Sequence, residues 1–222
     1  EWYVGTRGGF GDHGAMLLSR YAQIVHTPFV SVESLQPEYI DFPDDHQILI
    51  INSYRTSAKS ADQLFAYNQT MLSYSIALTL IKDALASMGE PAESIQGIDY
   101  LGQITPERFG SGRIYRVLRA LPEQASVREL EARHGDLVRE RLTRFFGHLG
   151  RSPAYLAVRG PALWGIAESE RSRAFARLVR QGRMAEAGEL MYIGQDGDRL
   201  IETNAQGPAR PYTANQVTDA YL

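Results

Sequence analysis

The clearest signal along the chain is a period of three and four in its second quarter. Leu64, Tyr67, Met71, Tyr74, Leu78, Ile81, Leu85 and Met88 recur at that spacing, which is the repeat of one helix face. Leu72, Ile76 and Leu80 widen the face, and Gly89 and Pro91 come after it. The pattern predicts a long core helix with a sharp stop. Shorter helical patterns cover residues 12–20, 111–120, 126–133, 136–148 and 183–193. Another runs to about Arg180, with Pro161 in its first turn, where the missing N–H costs nothing. Before the long helix the pattern changes. Trp2, Tyr3 and Val4 read as a strand or buried loop, and residues 22–28, 29–32 and 39–42 read as short strands. Pro43-Asp44-Asp45 signals a turn. Residues 47–54, QILIINSY, form a continuous apolar run that predicts a strand buried on both faces. The tail, residues 204–216, reads as loop. Strands fall in the first quarter and helices fill the rest, which predicts an α+β fold.

Composition narrows the chemistry. Of 222 residues, 44% are hydrophobic, enough for a sizeable core. Twenty-three basic and 26 acidic residues leave a net charge of −3, which argues against a nucleic-acid partner. The absence of cysteine excludes disulfides, thiolate metal sites and cysteine nucleophiles, and permits a reducing compartment. No run approaches the ~18 apolar residues of a membrane span, so no membrane partner is expected. His26, His46, His134 and His148 lack ligand spacing, so no metal site is predicted. Asp44-Asp45 and Asp196-x-Asp198 read as turn or capping devices. The arginines between Arg133 and Arg151 are balanced by Glu129, Glu131, Asp136 and Glu140, which predicts a solvated helix face. Trp164 falls on an apolar helix face and is expected in the core.

The candidate chemistry lies in residues 5–16, GTRGGFGDHGAM. Gly9, Gly11 and Gly14 match the dinucleotide pattern G-x-G-x-x-G. That reading needs a full helix, further βαβ units and an acid after the next strand. Glu33 can be forced into the acid's place, but the helix is short and no βαβ units come after it. Asp12, inside the loop, would also repel a pyrophosphate. A Walker A loop is excluded, because no Gly-Lys-Ser/Thr is present. A second reading makes the loop a mount for a carboxylate: glycines let a substrate approach the backbone, and Asp12 at a helix start is held in one orientation. A plainer alternative, Asp12 as an N-cap beside a turn, fits the spacing equally well.

The segment GGFGDHGAMLL, residues 8–18, resembles the stretch after the ATP loop in galactokinase-like members of the GHMP kinase superfamily. There a Gly-x-x-Asp-Gln/His pattern carries the catalytic aspartate. Further features fall in the same order: an apolar strand into Asn52-Ser53, the Ser/Ala-rich residues 57–61, and Tyr67-Asn68 on the long helix. Residues 155–191 resemble the paired helices of the family's C-terminal half, and residues 192–200 loosely resemble the segment beyond those helices. The resemblance implies a GHMP-kinase-like α+β fold. Residues 1–45 would end the N-terminal, catalytic-aspartate domain, and residues 46–222 would form an incomplete, partly ferredoxin-like C-terminal domain.

The resemblance also implies a cytoplasmic enzyme that takes ATP, Mg2+ and a monosaccharide. A sugar hydroxyl, often the anomeric one, attacks the γ-phosphate, and positioning supplies most of the catalysis. Asp12 would be the base or orienter. Gly9 and Gly11 would lie against the sugar ring, and Tyr67 and His13 would touch the substrate. Tyr67 also sits in the apolar stripe, and His13 also suits a helix surface. The family's Gly-Glu-His-x-Asp sugar motif, its Pro-x-x-x-Gly-Leu-Ser-Ser-Ser-Ala phosphate loop and its late Gly-Gly-Gly-Phe-Gly-Gly loop are absent from these residues. The basic partner of the aspartate would lie upstream, Arg7 being a poor substitute. The resemblance thus implies the interior and C-terminal part of such a kinase, and leaves galactose, arabinose, a uronic acid or a heptose as substrates. A non-catalytic sugar-sensing or partner-binding protein on a kinase-derived fold is the alternative, and a dinucleotide oxidoreductase the third reading.

Overall fold

A computed structural model describes residues 11–27, 35–52, 54, 61–197, 203–204 and 207–208. It begins with helix α1 (Gly11–Leu18) and an antiparallel pair, β1 (Gln23–His26) and β2 (Glu38–Asp41). Helix α2 (Ala61–Ser87) comes next, then short helices α3 (Ala92–Gln96) and α4 (Pro106–Phe109), separated by a 3-10 turn over Leu101–Gln103. After them lie α5 (Ser111–Ala120), β3 (Gln124–Ser126), α6 (Val127–His134), α7 (Asp136–Phe146) and β4 (Tyr155–Ala157). Helices α8 (Arg159–Arg180) and α9 (Met184–Gly197) precede a small pair, β5 (Thr203–Asn204) and β6 (Gly207–Pro208). The arrangement is α+β and mostly helical, with three two-stranded antiparallel pairs among the described residues.

Helix α2 is the centre of the main core. Leu72, Ile76, Ala77, Leu80, Ile81 and Leu85 are buried against residues of α5, α6, α7, β4 and α8. The residues expected to widen its apolar face are inside together with Ile81 and Leu85 of the main stripe, while Tyr67 and Met88 are exposed. Two buried amides hold the same helix: Asn68 Nδ2 donates to the Phe145 carbonyl at 2.8 Å, and Gln69 Nε2 to the Tyr155 carbonyl at 2.9 Å. Local signals mark the helix ends. Ser126 and Glu129 form a capping box at the start of α6. Gly135, at φ 51°, turns the chain between α6 and α7 in a conformation costly for any side chain. Gly165 on α8 lets Leu101 approach so closely that a Cβ would lie 2.6 Å from its Cδ1.

Several expectations are corrected. The run over residues 47–54 forms no strand among its described residues, and Ile48, Leu49, Ile50 and Ile51 face solvent. A strand needs a neighbour to take its N–H and C=O groups, and no described strand lies beside it. Two of the three strand pairs fall after the first quarter, because QAS and YLA are too short to show a period of two. The tail expected as loop contains β6 and the second residue of β5. Asp196 lies within α9 rather than in a turn. Trp164 is only partly buried. Arg141 does not join the solvated face: it turns inward to the Ser75 carbonyl and the Thr79 hydroxyl, at 2.8 and 2.7 Å. The strands expected over residues 2–4 and 29–32 lie outside the described residues.

Leu72→Ala and Ile81→Ala are each expected to lower unfolding stability by about 2–5 kcal/mol. Met88→Ala, on the wet side, should change it by less than about 0.5 kcal/mol. Urea unfolding monitored by the far-ultraviolet helical signal checks both; equal costs at the three positions would contradict this burial pattern.

Candidate functional site

Helix α1 carries Gly11, Asp12 and His13, and all three are exposed. Gly14 is the buried residue of the helix, so α1 turns its small side inward and its acid outward. Asp12 stands in the first turn, where a carboxylate meets the positive end of the helix dipole. Among the described residues, no hydrogen bond or ion pair engages the Asp12 or His13 side chain. Gly9 and Arg7, named from the sequence, lie outside the described residues, as do Ser53 and the Ser/Ala-rich residues 57–60.

The chain beyond α1 is tied down. The Arg20 guanidinium lies over the Tyr39 ring, 3.5 Å from its centroid. The Phe42 N–H donates to the Ala22 carbonyl at 2.8 Å, and Gln23 Nε2 donates to Asp41 Oδ1 at 2.8 Å. Strand β2 then buries Ile40 among Ala176, Val179 and Ala187 of α8 and α9. Beside that contact Glu38 accepts from both His26 Nδ1 and Arg180. These two donors, His26 first and Arg180 second, hold the Glu38 carboxyl below its ordinary value. The route from Asp12 to the helical body therefore runs through the β1–β2 pair.

Tyr67 projects from the first third of α2 and is 40% exposed. It does not belong to the fully buried face on which its spacing placed it, so part of its side chain is within reach of a ligand. Its neighbours Asn68 and Gln69 point inward and fix the helix rotation that leaves Tyr67 outside. The sequence marked Asn68 only as the partner of Tyr67 and did not mark Gln69; adjacent amides within an apolar helix were the available signal of their burial. No bond or ring contact joins Tyr67 to Asp12 or His13 among the described residues.

Two concavities lie elsewhere. One, of about 360 Å3 between α8 and α9, is lined by Trp164, Glu168, Arg171, Phe175, Met191 and Gly194. Glu168 pairs with Arg171 on the same helix and rests against Gly194, where a Cβ would come within 3.1 Å of its carboxylate. The Trp164 indole N–H is buried there without an acceptor among the described residues. The pair is an i,i+3 acid and base, which in sequence reads only as a surface salt bridge. The other, of about 210 Å3, lies beside Asp83 and Arg133. Neither is lined by Asp12, His13 or Tyr67. No group of three or more His, Asp or Glu among the described residues is arranged to hold a metal ion.

Because the Glu38 carboxyl is depressed, its contribution is present above the ordinary value of 4.5 and is lost as pH falls through the lower folded value. The amides of β1 and β2 are thus expected to exchange hydrogen faster at about pH 3 than at about pH 6 after correction for intrinsic rates. Glu38→Gln should abolish that difference. A pH effect of the same size in the variant would rule out Glu38 as its source.

Comparison of this chain with protein-family models, with curated proteins and with solved structures finds no match in any of the three.

Proposed function

We propose that the protein is an ATP-dependent sugar kinase of the galactokinase-like GHMP type, with Asp12 as the base or orienter for a sugar hydroxyl. The observation that carries this reading is the position of Asp12. It comes after a glycine-rich run, stands in the first turn of a helix, and is open to solvent with its carboxylate unengaged by described residues. A hydroxyl can reach such a group and donate to it.

In the proposed reaction the hydroxyl oxygen forms a bond to the γ-phosphorus of Mg-ATP. The bond from that phosphorus to the β,γ-bridging oxygen breaks, and ADP leaves. The hydroxyl proton passes to the Asp12 carboxylate or to water as the phosphate ester forms. Gly9 and Gly11 would admit the sugar close to the backbone. The partly exposed Tyr67 side chain would meet the same class of ligand, and His13 adds a second polar group beside Asp12. Mg2+ would travel with the nucleotide as part of the substrate.

A second reading, a sugar-binding protein without phosphoryl transfer, applies if these 222 residues are the natural length, since they contain no Pro-x-x-x-Gly-Leu-Ser-Ser-Ser-Ala loop. The two readings separate in one assay. A panel of monosaccharides with Mg-ATP is followed for ADP release and for thermal stabilisation. The kinase reading expects the intact enzyme, with its phosphate loop, to release ADP with at least one sugar, and its kcat to fall about 10²–10⁴-fold in Asp12→Asn. The Tm of that variant should stay unchanged, since exposed substitutions shift stability little. A wild-type rate in Asp12→Asn would remove Asp12 from the mechanism. A sugar that raises Tm with no ADP released would favour the sensing reading.

Tyr67→Ala is expected to raise the KM for the sugar by about 2–10-fold with kcat little changed, the size of one aromatic contact. An unchanged KM would take Tyr67 out of the substrate site.

A further inference from the structure

Residues 47–52, Gln-Ile-Leu-Ile-Ile-Asn, form a bounded segment that no strand pairs among the described residues. On one side the His46 N–H donates to the Pro43 carbonyl at 3.1 Å and closes a turn. On the other, Asn52 Oδ1 accepts from the Tyr54 N–H at 2.8 Å, and Tyr54 has a φ of 56°. Between these turns Ile48, Leu49, Ile50 and Ile51 are 77, 81, 90 and 77% exposed. The six residues include no charge and no proline, and no described strand pairs with them. An uncharged aliphatic segment with open backbone groups is a template for another strand.

The segment is its own complement. Set antiparallel about a two-fold axis between Leu49 and Ile50, it places Leu49 opposite Ile50, Ile48 opposite Ile51, and Gln47 opposite Asn52. Aliphatic residues then face aliphatic ones and amide faces amide along its whole length. Charge selects the same orientation. Asp44 and Asp45 precede the segment, so a parallel, in-register pair would stack the acids of two chains on each other. The antiparallel pair sends them to opposite ends. A self-complementary patch related by a two-fold axis makes a closed, isologous contact.

We propose that residues 47–52 pair with the same residues of a second copy of this chain, as an antiparallel ladder that forms a dimer. This does not rest on the kinase reading. The test is sedimentation equilibrium of the full chain over a range of concentrations, with hydrogen exchange at amides 48–51. The expected result is a species of twice the 24.8 kDa chain mass, with those amides protected only where the dimer is populated. Ile50→Lys should abolish the dimer and leave the far-ultraviolet helical signal unchanged. The chain has no cysteine, so register can be read directly. Mixed Ile48→Cys and Ile51→Cys chains should cross-link to each other on oxidation more readily than either does to itself. A monomer with freely exchanging amides overturns the proposal. So does a monomer with protected amides, since the segment is then covered by its own chain. An open-ended oligomer, a dimer that survives Ile50→Lys, or cross-linking without register preference also overturns it.

Discussion

Helix α2 must bury more than one side at once, and most of the structure depends on that requirement. It is packed by α3, α5, α7, α8 and β4, elements spread over the rest of the helical body. Its fully buried positions therefore cover a broad arc, from Leu72 and Ile76 round to Ala77, Ile81 and Leu85. A helix so enclosed cannot leave its polar groups to water. Asn68 and Gln69 are satisfied by carbonyls 77 and 86 residues further along the chain. Leaving either amide unpaired would cost about 1–3 kcal/mol, so these bonds help to fix the helix rotation alongside its leucines.

Arginine plays an unusual part in holding the other helices. Arg159 donates to the carbonyls of Leu118 and Leu121 at the end of α5, joining it to the start of α8. Arg141 crosses from α7 to α2, and its burial pushes the guanidinium below its ordinary value. Arg173 reaches the Gly102 carbonyl while pairing with Glu170. In each case the planar, multiple-donor head donates to backbone or hydroxyl oxygens of another element.

The proposed chemistry stands apart from this body. Asp12 rides on a short helix tied to the helical body by way of the β1–β2 pair, through Ile40 and the Glu38 contacts with His26 and Arg180. An exposed carboxylate so mounted can meet a substrate without the core being disturbed. The functional reading rests on that local arrangement and on the residues of the glycine run, since an α+β fold in general implies no particular activity.

The long helix, the helix over residues 111–120, the turn at Pro43 and the absence of a long apolar span were legible in the sequence, because each depends on neighbours only a few residues apart. The candidate Asp12 was legible for the same reason: a glycine run and a helix start are local. Which face of α2 lies inside was not. Its spacing marked one stripe with a wider flank, and only packing from distant elements buried Leu72, Ile76 and Leu80 along with Ile81 and Leu85 and left Tyr67 outside. The inward turn of Arg141 likewise depended on where Ser75 and Thr79 came to lie. The apolar run at residues 47–52 marks the limit most clearly. Sequence determined that it is aliphatic, uncharged and preceded by a turn. Only the tertiary structure could decide whether a neighbouring strand meets it, because a strand is completed by hydrogen bonds that its own residues cannot supply.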